Sequence, residues 1–340
     1  LVLPAKRRVV LAAIEGHVKN QLALIKGIAR YAKLHTRVLP NGYRQLDTWV
    51  RLPPDDQRAM RESELGSLSS LDPAKVSIEL GRFLLALDRP EQAKDHLREA
   101  VRLNPDSAQY RYWLGVAHWA LDDSENERKA YEQALELDPD YISARVYLGH
   151  NLMDSGDTRG ALTQYNLVLS QAPGQPDALY NKAAALTILG EDYQAVQAWK
   201  TYLGYYPEGS MAREAALNLN RSGNFSYRTQ VIGVRQMVLE WITFETGTAV
   251  LSEQALPNLD AVGSVMASNQ RFQLTINSFK EGNQDLAQAR AQSVRNYILE
   301  NHAEVSPDRI LIEAHGRAER ISVGNKTFAL GESIIFHTTQ

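Results

Sequence analysis

Apolar and small residues recur along the middle of the chain with a fixed period. Pro105, Pro139, Pro173 and Pro207 stand 34 residues apart. Gly81, Gly115 and Gly149 keep the same step, and Ala183 takes the fourth slot. Ala93, Ala161 and Ala195 share a third column, which Glu127 interrupts. Leu97, Tyr131, Tyr165 and Trp199 form a column of large apolar residues. Ala100 and Ala134 open a last, small column that passes to Val168 and Tyr202. Columns in register over four periods predict a stack of identical supersecondary units rather than one irregular core.

Each unit reads as a helix–turn–helix. The small residue of its first helix admits the second helix closely, and the large residue of the second fills the space between units. The proline ends the unit, because it has no N–H to donate and its predecessor avoids helical backbone. Turn signals separate the paired helices at Asp88-Arg89-Pro90, Asp122-Asp123, Ser155-Gly156-Asp157 and Leu189-Gly190-Glu191. The pattern resembles the tetratricopeptide-repeat family over residues 72–221: four units, then a helix ending Ala215-Ala216-Leu217-Asn218-Leu219 like the one that caps such arrays. The resemblance implies a groove lined by the first helix of each unit, which binds peptides or helices. Its candidate lining is Lys75, Ile78, Arg82, Gln109, Tyr112, Trp119, Val146, His150, Met153 and Tyr180. The alternative for the aromatic members is packing between repeats. Family members that bind chaperone tails use a Lys/Asn clamp. The matching slots hold Ile78 and Arg82, then Tyr112 and Val116, so that clamp is absent.

The periodicity stops near Ser222-Gly223-Asn224, and residues 222–234 read as a linker. Beyond it the pattern alternates between strand and helix. Val238–Phe244 is rich in β-formers, and Gln254–Met266 carries apolar residues at helical spacing. Phe272–Ile276 alternates like a strand, and Asn283–Asn301 reads as a long helix. Arg309–Ala314 and Glu332–His337 read as the last strands. The order β-α-β-α-β-β predicts a small α+β domain over residues 235–340.

Three segments here resemble the OmpA-like peptidoglycan-binding family: Ile242-Thr243-Phe244 with Gly247, Ala249 and Leu251; Leu286-Ala287 with Arg290, Ala291 and Val294; and Val305-Ser306 with Asp308-Arg309-Ile310 and Gly316. In that family an aspartate of a Gly-His-Thr-Asp loop and an arginine grip the peptide stem of the wall polymer. Arg290 matches the arginine, whose planar fork suits a carboxylate. The loop is replaced by Asn277-Ser278-Phe279-Lys280, and the family's Asn-Arg-Arg segment by Gly331-Glu332-Ser333-Ile334. Two readings therefore stay open: Arg290 contacts peptidoglycan, or it sits in a structural salt bridge within a fold kept for protein contacts.

Charge and composition add a third region. The net charge is −3 overall, yet residues 1–61 carry 12 Lys+Arg against 4 Asp+Glu, which leaves −11 on the rest. Residues 1–71 read as a basic helical arm or cap, with amphipathic helix over Val9–His35, a turn at Pro40-Asn41-Gly42, and helices over Tyr43–Leu52 and Arg58–Leu68. Such an arm suits an anionic membrane surface or an acidic partner, or is simply solvated. The chain begins at Leu1 rather than Met, which leaves room for a removed signal or lipid-anchor segment. No apolar run reaches the ~20 residues of a membrane helix.

Signs of catalysis are missing from the sequence. There is no cysteine, no HExxH, no phosphate-cradling glycine loop and no G-x-S-x-G elbow, so no enzyme activity, cofactor or metal is expected. Nucleic acid is not expected as a partner. The reading is a non-catalytic protein–protein interaction scaffold of a bacterial cell envelope. The resemblance implies a periplasmic place, near the outer membrane, beside the subunits of a secretion, pilus or motility machine. Direct anchoring to peptidoglycan is the alternative, and a cytoplasmic adaptor is a third, more distant one.

Overall fold

The structure is a computed structural model, and it describes residues 35–38, 44–47 and 72–339. Two short strands, β1 (His35–Val38) and β2 (Arg44–Asp47), pair antiparallel with His35 opposite Asp47. A helix expected over Tyr43–Leu52 is therefore corrected at Arg44–Asp47. An Asn-Gly pair between two short runs is a hairpin signal, and pairing overrides a weak helical pattern. The helices expected over Val9–His35 and Arg58–Leu68 lie outside the described residues, apart from His35 in β1.

Nine helices follow among the described residues: α1 (Pro73–Ala86), α2 (Pro90–Leu103), α3 (Ala108–Ala120), α4 (Ser124–Leu137), α5 (Ile142–Asp154), α6 (Thr158–Gln171), α7 (Pro176–Ile188), α8 (Asp192–Tyr205) and α9 (Gly209–Arg221). This is the repeat array that the period predicts. The chemistry of the columns appears in the packing. A Cβ on Gly81 would lie 2.4 Å from the Leu97 side chain, and one on Gly115 would lie 2.4 Å from the Tyr131 ring. Only glycine lets those helices approach so closely. The backbone between paired helices turns through the left-handed region at the same column each time. The φ values are +57° at Asp88, +58° at Asp122, +86° at Gly156 and +71° at Gly190. Glycine adopts this conformation freely, while aspartate is among the few other residues that tolerate it. Side chains of Asp72, Ser107, Asp123, Asp157 and Gln175 accept N-terminal amides and start helices.

By contacts the chain forms two compact units, Leu1–Ser155 and Gly156–Gln340. Within the first, α1 to α5 pack in sequence, and Leu97, Ala100, Ala117, Tyr131 and Ala134 are fully shielded from solvent. Within the second, α6 to α9 lead directly into the C-terminal fold. The segment expected as a linker is not one throughout. Tyr227–Ile232 forms strand β3, which pairs antiparallel with β4 (Arg235–Glu240) around Gly233. The reason is visible in β3 itself: its ends are buried, and Tyr227 and Val238 share a core with Ala212, Ala215, Ala216 and Leu219 of α9.

After β4 come a 3-10 turn (Glu253–Ala255), α10 (Leu256–Ser268), β5 (Gln273–Lys280), α11 (Gln284–Asn301), β6 (Ile310–His315), β7 (Glu319–Val323), β8 (Lys326–Leu330) and β9 (Glu332–Thr339). One sheet has the order β6-β5-β9, with β6 parallel and β9 antiparallel to β5. Its core joins Leu274 and Ile276 of β5 to Val294 and Ile298 of α11 and to Leu259, Val262 and Met266 of α10. The β7–β8 hairpin adds two strands beyond the six-element order read from the sequence.

Candidate functional site

The repeat residues expected to line a groove divide by exposure. Lys75 and Gln109 are exposed near the starts of α1 and α3. Ile78, Tyr112 and Val146 are buried. Tyr112 sits within an aromatic cluster, 5.4 Å from Trp113, 5.9 Å from Tyr131, 5.4 Å from Tyr141 and 5.5 Å from Tyr147, ring centre to ring centre. Burial pushes its hydroxyl well above the ordinary tyrosine range, so it remains a neutral packing group. Arg82 is also buried; it pairs with Glu79 at 3.0 Å and stacks 4.7 Å over Trp113. His150 lies 5.4 Å from the Tyr147 ring. His150, Trp119 and Met153 are half-buried. In the second unit Tyr180 packs edge-on against Trp199 at 4.9 Å and Tyr202 at 5.3 Å. Burial raises its hydroxyl, with Glu214 adding to the effect.

Two arginines that the column reading did not single out repeat with the array. Arg111 donates to the Pro105 carbonyl at 2.9 and 3.1 Å, and Arg145 donates to the Pro139 carbonyl. Both reach back six residues onto the unit-ending proline. Their shared 34-residue spacing was the available signal. A second network ties α4 to α5. The Asn151 amide donates to Glu127 Oε2 at 2.8 Å and to the Ser124 carbonyl at 2.9 Å, while Arg128 donates to Asn151 at 2.9 Å and to Ser155 at 2.7 Å. The break in the alanine column at Glu127 thus has a partner that only the fold reveals. His118 is buried, with its Nδ1 2.9 Å from Asp123. Burial lowers its imidazole below the ordinary range, against the pull of that carboxylate.

In the C-terminal fold, Arg290 comes from the second turn of α11 and is 5% exposed. Its Nε donates to the Thr248 carbonyl at 2.9 Å, and a terminal nitrogen donates to Glu332 Oε2 at 2.8 Å. The guanidinium lies 4.6 Å over the Phe244 ring. Lys280, the last residue of β5, is paired across the ladder with Glu332, the first of β9, and donates to the same Oε2 at 2.8 Å. Lys280 and Arg290 together hold the Glu332 carboxyl below its ordinary range. A cleft of about 60 Å³ opens here, lined by Trp241, Thr243, Phe244, Arg290, Glu332 and Ser333, among others. Typical ligand sites are about 300–1,000 Å³. The sequence picked out Arg290 and noted the changed loops, but it did not pair Glu332 with Arg290. The signal was a carboxylate standing in a segment that is cationic in the resembling family.

The remaining buried charges are structural. Arg309 donates to the carbonyls of Phe272, Met266 and Asn269. Arg228 of β3 forks onto both oxygens of Glu319 in β7 at 2.8 Å, and Ser333 donates to the same carboxylate at 2.6 Å. Among the described residues no cluster of three or more His, Cys, Asp or Glu side chains is placed to hold a metal, and no helix is long and apolar enough to cross a membrane.

Comparison with known proteins agrees with this division. Residues 78–142 match the tetratricopeptide repeat family model, and residues 243–327 match the OmpA family model. No curated protein matches the chain in sequence. Solved structures similar to it include a crystal structure of MamA, 21% identical, covering 46% of this chain and 96% of that one with a TM-score of 0.39. MamA 41-end from Desulfovibrio magneticus RS-1 is 21% identical over 46% of this chain and 88% of that one, with a TM-score of 0.42. YrrB, titled a TPR protein with an unusual peptide-binding site, is 24% identical over 47% and 82%, with a TM-score of 0.39.

Proposed function

For a chain that joins tetratricopeptide repeats to an OmpA family segment, we propose a non-catalytic protein–protein interaction scaffold of a bacterial cell-envelope assembly. It docks other envelope proteins, subunits of a secretion, pilus or motility machine, through the repeat helices. Its place is the periplasm beside the cell wall and the outer membrane. Helix pairs that bury only one face leave a continuous second face for partners. Lys75 and Gln109 stand exposed on that series of first helices, with half-buried Trp119, His150 and Met153 among the contacts for a partner.

The observation that carries this reading is the condition of Arg290. The one residue that matches the wall-binding grip is buried, and its charge is met by Glu332 of the same chain. A lysine, rather than an aspartate, stands opposite it. A stem peptide's ammonium group has no acceptor there of the kind the resembling family provides. The basic segment 1–61 suits an anionic membrane surface as a second attachment.

Direct peptidoglycan anchoring is the second reading, favoured by the retained Arg290 and the matched family segment. The full chain, incubated with purified sacculi and separately with detergent-solubilised envelope proteins, separates the two. The scaffold predicts capture of defined envelope proteins that Lys75→Glu with Gln109→Glu abolishes and Arg290→Lys leaves intact. Sedimentation with sacculi that Arg290→Lys abolishes overturns it in favour of the anchor.

A further inference from the structure

The C-terminal fold contains two hairpins built on the same turn, and their tips differ in chemistry. Ile232 pairs with Arg235 across Gly233-Val234, and Val323 pairs with Lys326 across Gly324-Asn325. In each, the first turn residue is a glycine in the left-handed region, at φ +63° and +58°. Such turns favour a polar second residue, and Asn325 is one. Val234 is not, and it stands 84% exposed. The next pair along the strands repeats the difference. In β7–β8 it is Ser322 and Thr327, whose hydroxyls lie 3.2 Å apart. In β3–β4 it is Val231 and Gln236, with Val231 50% exposed. Neither valine serves the turn or the core.

The charge around this tip is of one sign. Arg235 closes the turn and is exposed. Gly233 lies against the Phe272 ring, where a Cβ would come within 2.7 Å, and the exposed Arg271 precedes that phenylalanine. The Gly233 amide also donates to Thr338 of β9 at 3.1 Å. Among the described residues neither arginine forms an ion pair. Segments 222–239, 261–280 and 333–339, which meet here, contain no Asp or Glu.

We propose that the β3–β4 tip is a membrane contact: Val231 and Val234 enter the headgroup layer of an anionic phospholipid surface, while Arg235 and Arg271 meet its phosphates. An acidic protein would have to offer a recess for so exposed a turn, whereas a lipid layer yields to it. A second copy of the chain, bringing the same two arginines, is repelled. Two valines give only weak, reversible binding, and stable attachment takes a second signal. Segment 1–61, with 12 Lys+Arg against 4 Asp+Glu, supplies a polybasic one. This goes beyond the scaffold reading and does not rest on it: partners dock on the repeat helices, and the tip sets the C-terminal fold against a membrane.

The chain has no cysteine, so a single introduced one carries a polarity-sensitive fluorophore without competition. The full chain is labelled in Val234→Cys and, separately, in Asn325→Cys. Each is mixed with vesicles of phosphatidylethanolamine and phosphatidylglycerol, or of phosphatidylcholine alone. The expected result is a blue shift for Val234→Cys on the anionic vesicles only, and none for Asn325→Cys on either. Flotation of the unlabelled chain is compared with that of Val231→Ser with Val234→Asn, which gives this hairpin the polar tip that β7–β8 already carries and so keeps the turn. The variant should lose about tenfold in partition onto the anionic vesicles. An unshifted Val234→Cys label overturns the proposal, even where segment 1–61 carries the chain to the vesicles. Equal flotation of the two forms overturns it too, as does an equal shift on phosphatidylcholine or for Asn325→Cys. Capture of an acidic protein through the tip, with no shift on vesicles, passes the surface to a protein and overturns it as well. Capture of envelope proteins through Lys75 and Gln109 is a separate readout, so the scaffold reading fails or stands independently.

Discussion

The repeat helices and the C-terminal fold solve the same problem, the burial of bulky or charged groups, by opposite means. In the repeats one solution is copied: a glycine opposite a large side chain, a left-handed turn, a proline stop. Gly81 faces Leu97 as Gly115 faces Tyr131. In the C-terminal fold each solution is used once. Arg309 is wrapped in three backbone carbonyls, Arg228 forks onto Glu319, and Arg290 meets Glu332. A defect in a copied solution falls on one unit and its neighbours, and the loss of a unique ion pair falls on the one place it holds.

Substitutions can break or sharpen this contrast. Removing the fully buried Tyr131 side chain is expected to have the largest effect, because the ring is shielded on all sides. Tyr131→Ala should cost about 3–5 kcal/mol in chemical denaturation. Tyr131→Phe should cost nothing or stabilise slightly, since the buried hydroxyl finds no hydrogen-bond partner among the described residues. A large loss for Tyr131→Phe would mean that this column holds by polar contact rather than by volume. Glu319→Ala comes next. It leaves Arg228 half-enclosed without its partner and should cost about 3 kcal/mol. Hydrogen exchange should rise across β3, β7 and β9 and stay unchanged in α1 to α5. Exchange that rises equally in both regions would mean that the two units open together.

The third expected effect is on pH dependence. His118 has an imidazole lowered by burial, so the unfolded chain binds its proton more readily than the folded chain does. Stability should therefore fall as pH drops below the ordinary histidine range near 6.5, down to the lowered folded value. His118→Gln should flatten that part of the Tm–pH curve, and an unchanged slope would assign the effect elsewhere. Glu332 acts lower on the scale. Its carboxyl is held down, so the stability it contributes is present above the ordinary value of 4.5 and is lost as pH falls through the folded value. The smallest effect is expected at a turn. Asp122→Gly relieves a left-handed aspartate at φ +58° and should raise stability by about 0.5 kcal/mol, after the entropy cost of glycine.

What the sequence disclosed follows the same contrast. The period made the repeats legible, because each packing requirement appears four times at one spacing. Tyr112 was harder. Its column marks a groove position in the resembling family, yet its neighbours Tyr141 and Tyr147 turn it into core. The β3–β4 hairpin was hidden by its short strands and by a Ser-Gly-Asn run that reads as loop. Its partner surface on α9 is specified by residues far from any strand pattern. The β7–β8 hairpin carried a legible Gly324-Asn325 signal between two short alternating runs. Glu332 could not be matched to Arg290 from order alone, since 42 residues separate them.

The junction at α9 has a mechanical consequence. Asn220 donates to the carbonyls of Asn224 and Tyr227 at 3.0 and 2.8 Å, and Phe225 packs edge-on against Phe328 of β8 at 5.2 Å. The final repeat helix thereby shares its hydrophobic interior with the hairpin that follows it. There is no slack tether at this point to take up tension. A pull on the C-terminal fold is delivered straight to α8 and α9, and whatever those helices hold is carried along at a set orientation, as on a bracket rather than a rope.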